Sequence, residues 1–366
     1  MAEIDHIDEY DIRKDERMPI FSDSYLNKVA SHILNRAGMS PEDSKIVADH
    51  LVDANLAGHD SHGMIQIISY VDRIEKGHLD PNASIEIIAE SPTSAVIDGH
   101  WGFGYIVSTH AVEMAIRKAS DNNVAALTIL RQGHIGRLAN YTTALARAGM
   151  IGLMTSDSGR ASKVVVPFGG RTCRLGTNPI SIAVPSNLEG PVFIDMATST
   201  VANGKIALAR SRKQQVPLGW IIDSEGNPTT DPNNFEGLLP LGGDQGYKGY
   251  GLSFMIEIFA GILTGIGYGV DPSGRHNDGC LLIALKVDAF RPLEEFKREV
   301  EEFVDQMKGT PPAKGFDEVL YPGEIEWRNT KERLNSGIFI EDATWSELQG
   351  LMNEFKINIE PEKDFT

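Results

Sequence analysis

Two β-branched runs, Ile180–Pro185 and Val192–Ala197, are separated by a loop of about five residues. Parallel neighbours need a crossover of about a dozen residues or more, so a connection this short makes an antiparallel hairpin. One such pair excludes a purely parallel, doubly wound sheet. Further short β-branched runs lie at Ser84–Ala89, Val124–Leu130, Ile151–Thr155, Trp220–Asp223 and Leu281–Val287. Helical periodicity occupies the stretches near Tyr105–Ala119, Gly136–Ala148, Ala202–Arg212 and Gly249–Leu263. The fold class is therefore mixed α and β, with antiparallel pairing in the sheet.

The ends of the chain are helical. Ser22 caps a helix that carries Tyr25, Leu26, Val29, Ile33 and Leu34 on one side and ends at Gly38. Ser40-Pro41 opens a second, with Glu42 and Asp43 facing the positive end of the dipole. Ser61 is the expected cap of a third, running to about Glu75. From Pro292 the chain is helical and acidic again, interrupted by Tyr321-Pro322-Gly323. Residues 1–20 read as a flexible acidic leader.

Charge removes whole classes of partner. The chain has 51 acidic and 34 basic residues, a formal net charge of −17. That balance argues against a broad phosphate-binding face, so neither nucleic acid nor an anionic membrane is an expected partner. The most apolar window, Gly251–Gly269, carries Glu257 and five glycines and reads as a buried soluble helix. The two cysteines, Cys173 and Cys280, make no disulfide framework and suit the reducing cytoplasm.

With 36 glycines the chain invites a search for nucleotide loops. No G-x-G-x-x-G follows a strand; Gly265-Ile266-Gly267-Tyr268-Gly269 follows an apolar helix and lacks the third spacing. Gly204-Lys205 is followed by Ile206 and is no P-loop. No G-x-S-x-G elbow occurs, because His59 stands where its first glycine would be. A dinucleotide enzyme of the usual Rossmann kind is disfavoured.

The densest polar chemistry is His59-Asp60-Ser61-His62-Gly63. In a helix beginning at Ser61, the side chains of His62, Gln66, Tyr70 and Arg73 share one stripe, apart from Met64, Ile67, Ile68, Val71 and Ile74. An imidazole, an amide, a phenol and a guanidinium together suit an anionic small molecule that exchanges a proton. A helix N-terminus would keep His62 neutral. The same stripe also reads as an ordinary wet helix face. A metal site is a third reading, but no thiolate or paired carboxylate completes a ligand set around His59 and His62, so none is expected. A second candidate, Gln132-Gly133-His134-Ile135-Gly136-Arg137, joins a strand to a helix. There His134 can meet a ligand and the amides of Gly136, Arg137 and Leu138 can meet a phosphate; a capping histidine in a surface turn is the alternative.

Taken together, these blocks resemble the malate/L-lactate dehydrogenase family of the non-Rossmann type, over about residues 22–360. The resemblance rests on Ala57-Gly58-His59-Asp60-Ser61-His62-Gly63, Asp98-Gly99 with Gly102-Phe103-Gly104, and His134-Ile135-Gly136. It continues through Pro167-Phe168-Gly169-Gly170, Leu175-Gly176-Thr177-Asn178-Pro179 and Asp195-Met196-Ala197-Thr198-Ser199. The last blocks are Thr229-Thr230-Asp231-Pro232, Lys248-Gly249-Tyr250-Gly251 and Pro322-Gly323-Glu324. The run Ala54–Gly63 is most similar to the hydroxycarboxylate dehydrogenase branch.

The resemblance implies a largely antiparallel mixed central sheet flanked by helices, a homodimer, and NAD(P)-dependent interconversion of a 2-hydroxy acid and its 2-oxo acid. It implies a helical, substrate-side domain from 21–90 plus 292–366, a cofactor-binding sheet domain from 91–200 plus 240–291, and a small insertion at 201–239. His134 becomes the expected proton acceptor, and His62 lies against nicotinamide and substrate. Ser61, Gln66 and Tyr70 are the expected substrate contacts. Many members have arginine where this chain has Gln66, so Arg137 or Arg275 is expected to replace the lost guanidinium. The cofactor contacts implied are His62, Gly136, Arg137, Leu138, Phe193, Ile194, Asp195, Met196, Ala197, Tyr247, Lys248, Asn277, Gly323, Glu324, Ile325 and Glu326. A ribose-bound Asp195 would repel a 2′-phosphate, which favours NAD, with NADP as the alternative. Two other readings stand beside this one: an NADPH-dependent reductase of cyclic imino acids, and a non-catalytic binding protein on the same fold.

Overall fold

The computed structural model describes residues 19–157, 162–271, 273, 275 and 277–360. The expected leader lies outside the described residues except for its last two positions. Among the described residues the main sheet has seven strands: β2 (Glu86–Glu90), β3 (Ser94–Gly102), β4 (Val124–Gln132), β5 (Met150–Ser156), β6 (Ile180–Val184), β7 (Val192–Met196) and β11 (Cys280–Lys286). Their order is β2-β3-β4-β11-β5-β6-β7, and only the β3–β4 pair is parallel. The short loop between β6 and β7 does make the antiparallel hairpin, with Ile182 opposite Ile194.

Helices α4 (Gly104–Asn122) and α5 (Ala139–Arg147) pack their apolar sides on this sheet. Val107, Ala111, Ala115 and Tyr141 meet Leu127, Ile129, Met154 and Leu282 in one core. A second core joins the two ends of the chain. Helices α1 (Asp23–Arg36), α2 (Pro41–Leu56), α3 (Gln66–Glu75) and α10 (Asp342–Glu354) share it, and β1 (Ile20–Phe21) pairs with β12 (Ile338–Phe339) beside it. The caps are as expected: the Ser22 and Ser40 hydroxyls accept from Tyr25 and Asp43 amides. Between α6 (Asn203–Ser211) and α7 (Tyr247–Ile256) a small sheet of β8 (Ile221–Ile222), β9 (Pro228–Thr229) and β10 (Gly237–Leu238) covers its own core. Helices α8 (Leu293–Lys308) and α9 (Glu324–Ser336) follow β11. No helix of the described residues is long and apolar enough to cross a membrane.

The third helix differs from its expected start. Residues Asp60–His62 form one 3-10 turn, and α3 begins only at Gln66. The cause is Asn55, a buried amide whose carbonyl accepts from Met64 N at 2.9 Å while its NH2 donates to Asp60 at 2.7 Å. A side chain at Gly63 would collide with that amide. His62 therefore does not continue the Gln66–Tyr70 helix stripe, and the α3 dipole is not what keeps it neutral.

Candidate active site

The strand β4 ends on a loop that carries His134. That loop is pressed onto the start of α4: a Cβ at Gly136, whose φ is +68, would stand 2.5 Å from the Tyr105 ring. From the other side, Asn277 Oδ1 accepts from Gln132 N and Asp278 Oδ2 accepts from Ile135 N, each at 3.1 Å. The imidazole is oriented by two buried phenols. Tyr70 OH is 2.8 Å from His134 Nδ1 and 3.0 Å from Tyr105 OH. Burial pushes both phenols well above their ordinary range, so they stay protonated.

His62 faces this imidazole, ring on ring, at 5.6 Å between centroids. Its Nδ1 lies 3.0 Å from the exposed Ser61 hydroxyl, and Gln66 donates to Ser61 O at 2.7 Å. Burial, then the neighbouring His59 and Arg137, lower the His62 pKa to about 4. The turn is braced from α9, where Arg333 donates to Asp60 at 2.8 Å. Tyr70, expected to touch substrate, is instead buried behind His134.

A cavity of about 290 Å³ opens between α2, α5, the β6–β7 hairpin and α9. Its wall includes Asp53, Arg137, Asn140, Phe193, Glu326 and Trp327. Arg137 is buried, donates to Asp53 at 3.1 Å and leaves Nε without a partner. An orphaned buried guanidine N–H on a cavity wall fits an oxygen-bearing ligand such as a dinucleotide. Asp195 accepts from Ala139 N at 2.8 Å, capping α5, and burial raises its pKa. Burial opposes ionisation of Glu326, yet His59 at 3.5 Å holds its carboxyl below the usual range. Leu138, at the start of α5, is buried.

Other expected contacts lie differently. Glu324 is committed to the protein: it accepts from Tyr321 N at 3.0 Å, from Arg328 at 2.6 Å and from Lys308. Gly323, at φ +94, packs on Pro191 O and Phe193, and Ile325 is exposed. Ile194 is exposed, and Met196 and Ala197 are half-buried at the end of β7. Tyr247 and Lys248 stand exposed at the start of α7, Lys248 Nζ lying 5.8 Å over the Tyr247 ring. Arg275 donates to Gly77 O at 3.0 Å. Sequence reasoning missed Asn55, Tyr105 and Asp278. Gly136 is the sequence signal for the close approach at Tyr105, and a polar Asn55 between Ala54 and Leu56 flags a buried bond.

The family model for malate/L-lactate dehydrogenase matches residues 21–349. The L-sulfolactate dehydrogenase of Methanocaldococcus jannaschii is 39% identical over 91% of this chain and 96% of its own. The ureidoglycolate dehydrogenase (NAD(+)) of Escherichia coli strain K12 is 33% identical over 88% of this chain and 93% of its own. The crystal structure of malate dehydrogenase from Entamoeba histolytica superposes with a TM-score of 0.89 at 28% identity, covering 94% of this chain and 100% of that one. The chain belongs to the malate/L-lactate dehydrogenase family, enzymes that act on hydroxy acids with a nicotinamide cofactor.

Proposed function

We propose that the protein interconverts a 2-hydroxy acid, malate- or sulfolactate-like, and its 2-oxo acid, with NAD as the cofactor. The observation that carries this reading is the stacked pair His62 and His134, one imidazole clamped by a buried phenol and the other held neutral. A bound nicotinamide would supply the hydride acceptor in oxidation and the hydride donor in reduction. His134 takes the hydroxyl proton at Nε2 in oxidation and returns it in reduction, and His62 closes the opposite side of the reacting carbon. Gln66 carries no charge, so Arg137 or Arg275 neutralises the substrate carboxylate.

Arg137, Leu138, Asp195 and Glu326 form the cofactor end of the site, with the carboxylates disfavouring a 2′-phosphate. The helical segments 21–90 and 292–366 are the substrate side; 91–200 and 240–291 are the cofactor side. Helix α7 and the π-turn after it expose Phe254, Met255, Ile262 and Leu263, which supports a homodimer through this face. Both cysteines are free thiols, which favours the cytoplasm. A panel of oxaloacetate, sulfopyruvate, pyruvate and cyclic imino acids, read by NADH and NADPH absorbance, tests the reading. Turnover of a 2-oxo acid with NADH supports it. Turnover of imino acids alone with NADPH, or of nothing, overturns it in favour of an imine reductase or a binding protein.

A further inference from the structure

Three non-glycine residues with positive φ lie together where β3 meets β4: His100 (47°), Trp101 (67°) and Arg131 (49°). The register slips there between Asp98 and Gly102. A tryptophan in the left-handed region is strained and persists only where its surroundings over-determine it. Here they do. Buried Asp98 accepts from His100 N at 2.9 Å and from Arg131 Nε at 2.9 and 3.0 Å. Glu86 completes the knot through His100 at 2.8 Å. With Asp98 committed to Arg131, this His and carboxylate cluster is a lock on the bulge rather than a cation site.

The lock turns the Trp101 indole under Arg275, whose guanidinium carbon is 4.8 Å from the ring centroid. Arg275 also donates through Nη2 to Gly77 O at 3.0 Å. Each segment that holds Arg275 also holds the His134 loop. Gly102, next to Trp101, accepts from Gly133 N at 2.8 Å. Asn277 and Asp278, just after Arg275, bond to Gln132 N and Ile135 N. Gly77 follows α3, whose Tyr70 fixes His134 Nδ1. A guanidinium stacked on one face and anchored at one Nη offers the rest of its planar edge to a carboxylate.

We propose that Trp101 is a positioning residue that holds Arg275 as the clamp for the substrate carboxylate, in place of the charge absent at Gln66. The proposal rests on the 2-hydroxy acid reading of the site. Steady-state reduction of oxaloacetate and pyruvate by the full chain tests it. Trp101→Leu should raise the KM of the 2-oxo acid about tenfold, with kcat within about twofold and the KM for NADH unmoved. Trp101→Phe, which keeps a ring under the guanidinium, should restore most of the loss. Arg275→Gln should raise the same KM at least as much, and the double variant should be no worse than Arg275→Gln alone. Normal wild-type turnover with an unmoved KM, or additive effects in the double variant, would overturn the proposal alone. Absence of turnover with every 2-oxo acid would remove the functional reading and the proposal with it.

Discussion

At the residue scale the site depends on what holds each imidazole. Tyr70→Phe removes the partner of His134 Nδ1 and strands the Tyr105 hydroxyl, which is buried with Tyr70 as its hydrogen-bond partner. An unsatisfied buried hydroxyl costs about 1–3 kcal/mol, and loss of imidazole alignment should lower kcat about tenfold with little change in KM. Steady-state kinetics and a urea melt read the two effects separately. His50 and His62 both have pKa values lowered to about 4, chiefly by burial. The unfolded chain binds those protons near pH 6.5, so stability is complete above that value and falls as pH drops from about 6.5 towards 4. The expected slope is up to about 1.4 kcal/mol per pH unit for each histidine. Urea midpoints between pH 7 and 4.5 should show it, and His50→Gln should flatten it; a pH-independent midpoint would contradict these pKa values. Gly136→Ala should fail twice over, by its positive φ and by collision with Tyr105, giving a protein that melts lower and turns over less.

At the element scale the sequence was informative where one local rule governed and silent where a distant side chain intervened. The Ser22 and Ser40 caps and the β6–β7 hairpin follow from neighbouring residues and stand as expected. The start of α3 does not, because Asn55 reaches across from α2 and takes the Met64 amide. Strand β3 was missed because Asp98, Gly99 and His100 break its alternation; its pairing is maintained through the Asp98–Arg131 bond instead. The two histidine motifs were visible as motifs, yet the phenol behind His134 was not, since Tyr70 reads as a surface residue in a helix stripe that begins too early. Asn55→Leu should therefore release the 60–65 turn. It should cost about 1–3 kcal/mol of stability and lower activity even though Asn55 is not part of the stacked pair, measurable as a lowered urea midpoint with parallel loss of kcat.

At the scale of the whole molecule the chain has a formal net charge of −17, while the substrate and cofactor proposed for it are both anions. Two cations are held locally: Arg137 is buried on the cavity wall and bonded to Asp53, and Arg275 is stacked on Trp101. The apolar helix α7 poses the opposite problem, with Phe254 and Leu263 about half exposed. Leu263→Asp should convert the proposed dimer to a monomer in sedimentation equilibrium, whereas a wild-type monomer would contradict that assembly. In the proposed reaction His62 and His134 together serve hydride-coupled proton exchange on a 2-oxo acid. The most direct measurement is NADH oxidation by wild type, His134→Asn and His62→Asn with the best substrate of the panel, alongside NADH binding by fluorescence. The expected result is wild-type turnover, a loss of about 100-fold or more in each variant, and NADH binding retained in His134→Asn. Turnover of either variant within a few-fold of wild type would contradict it.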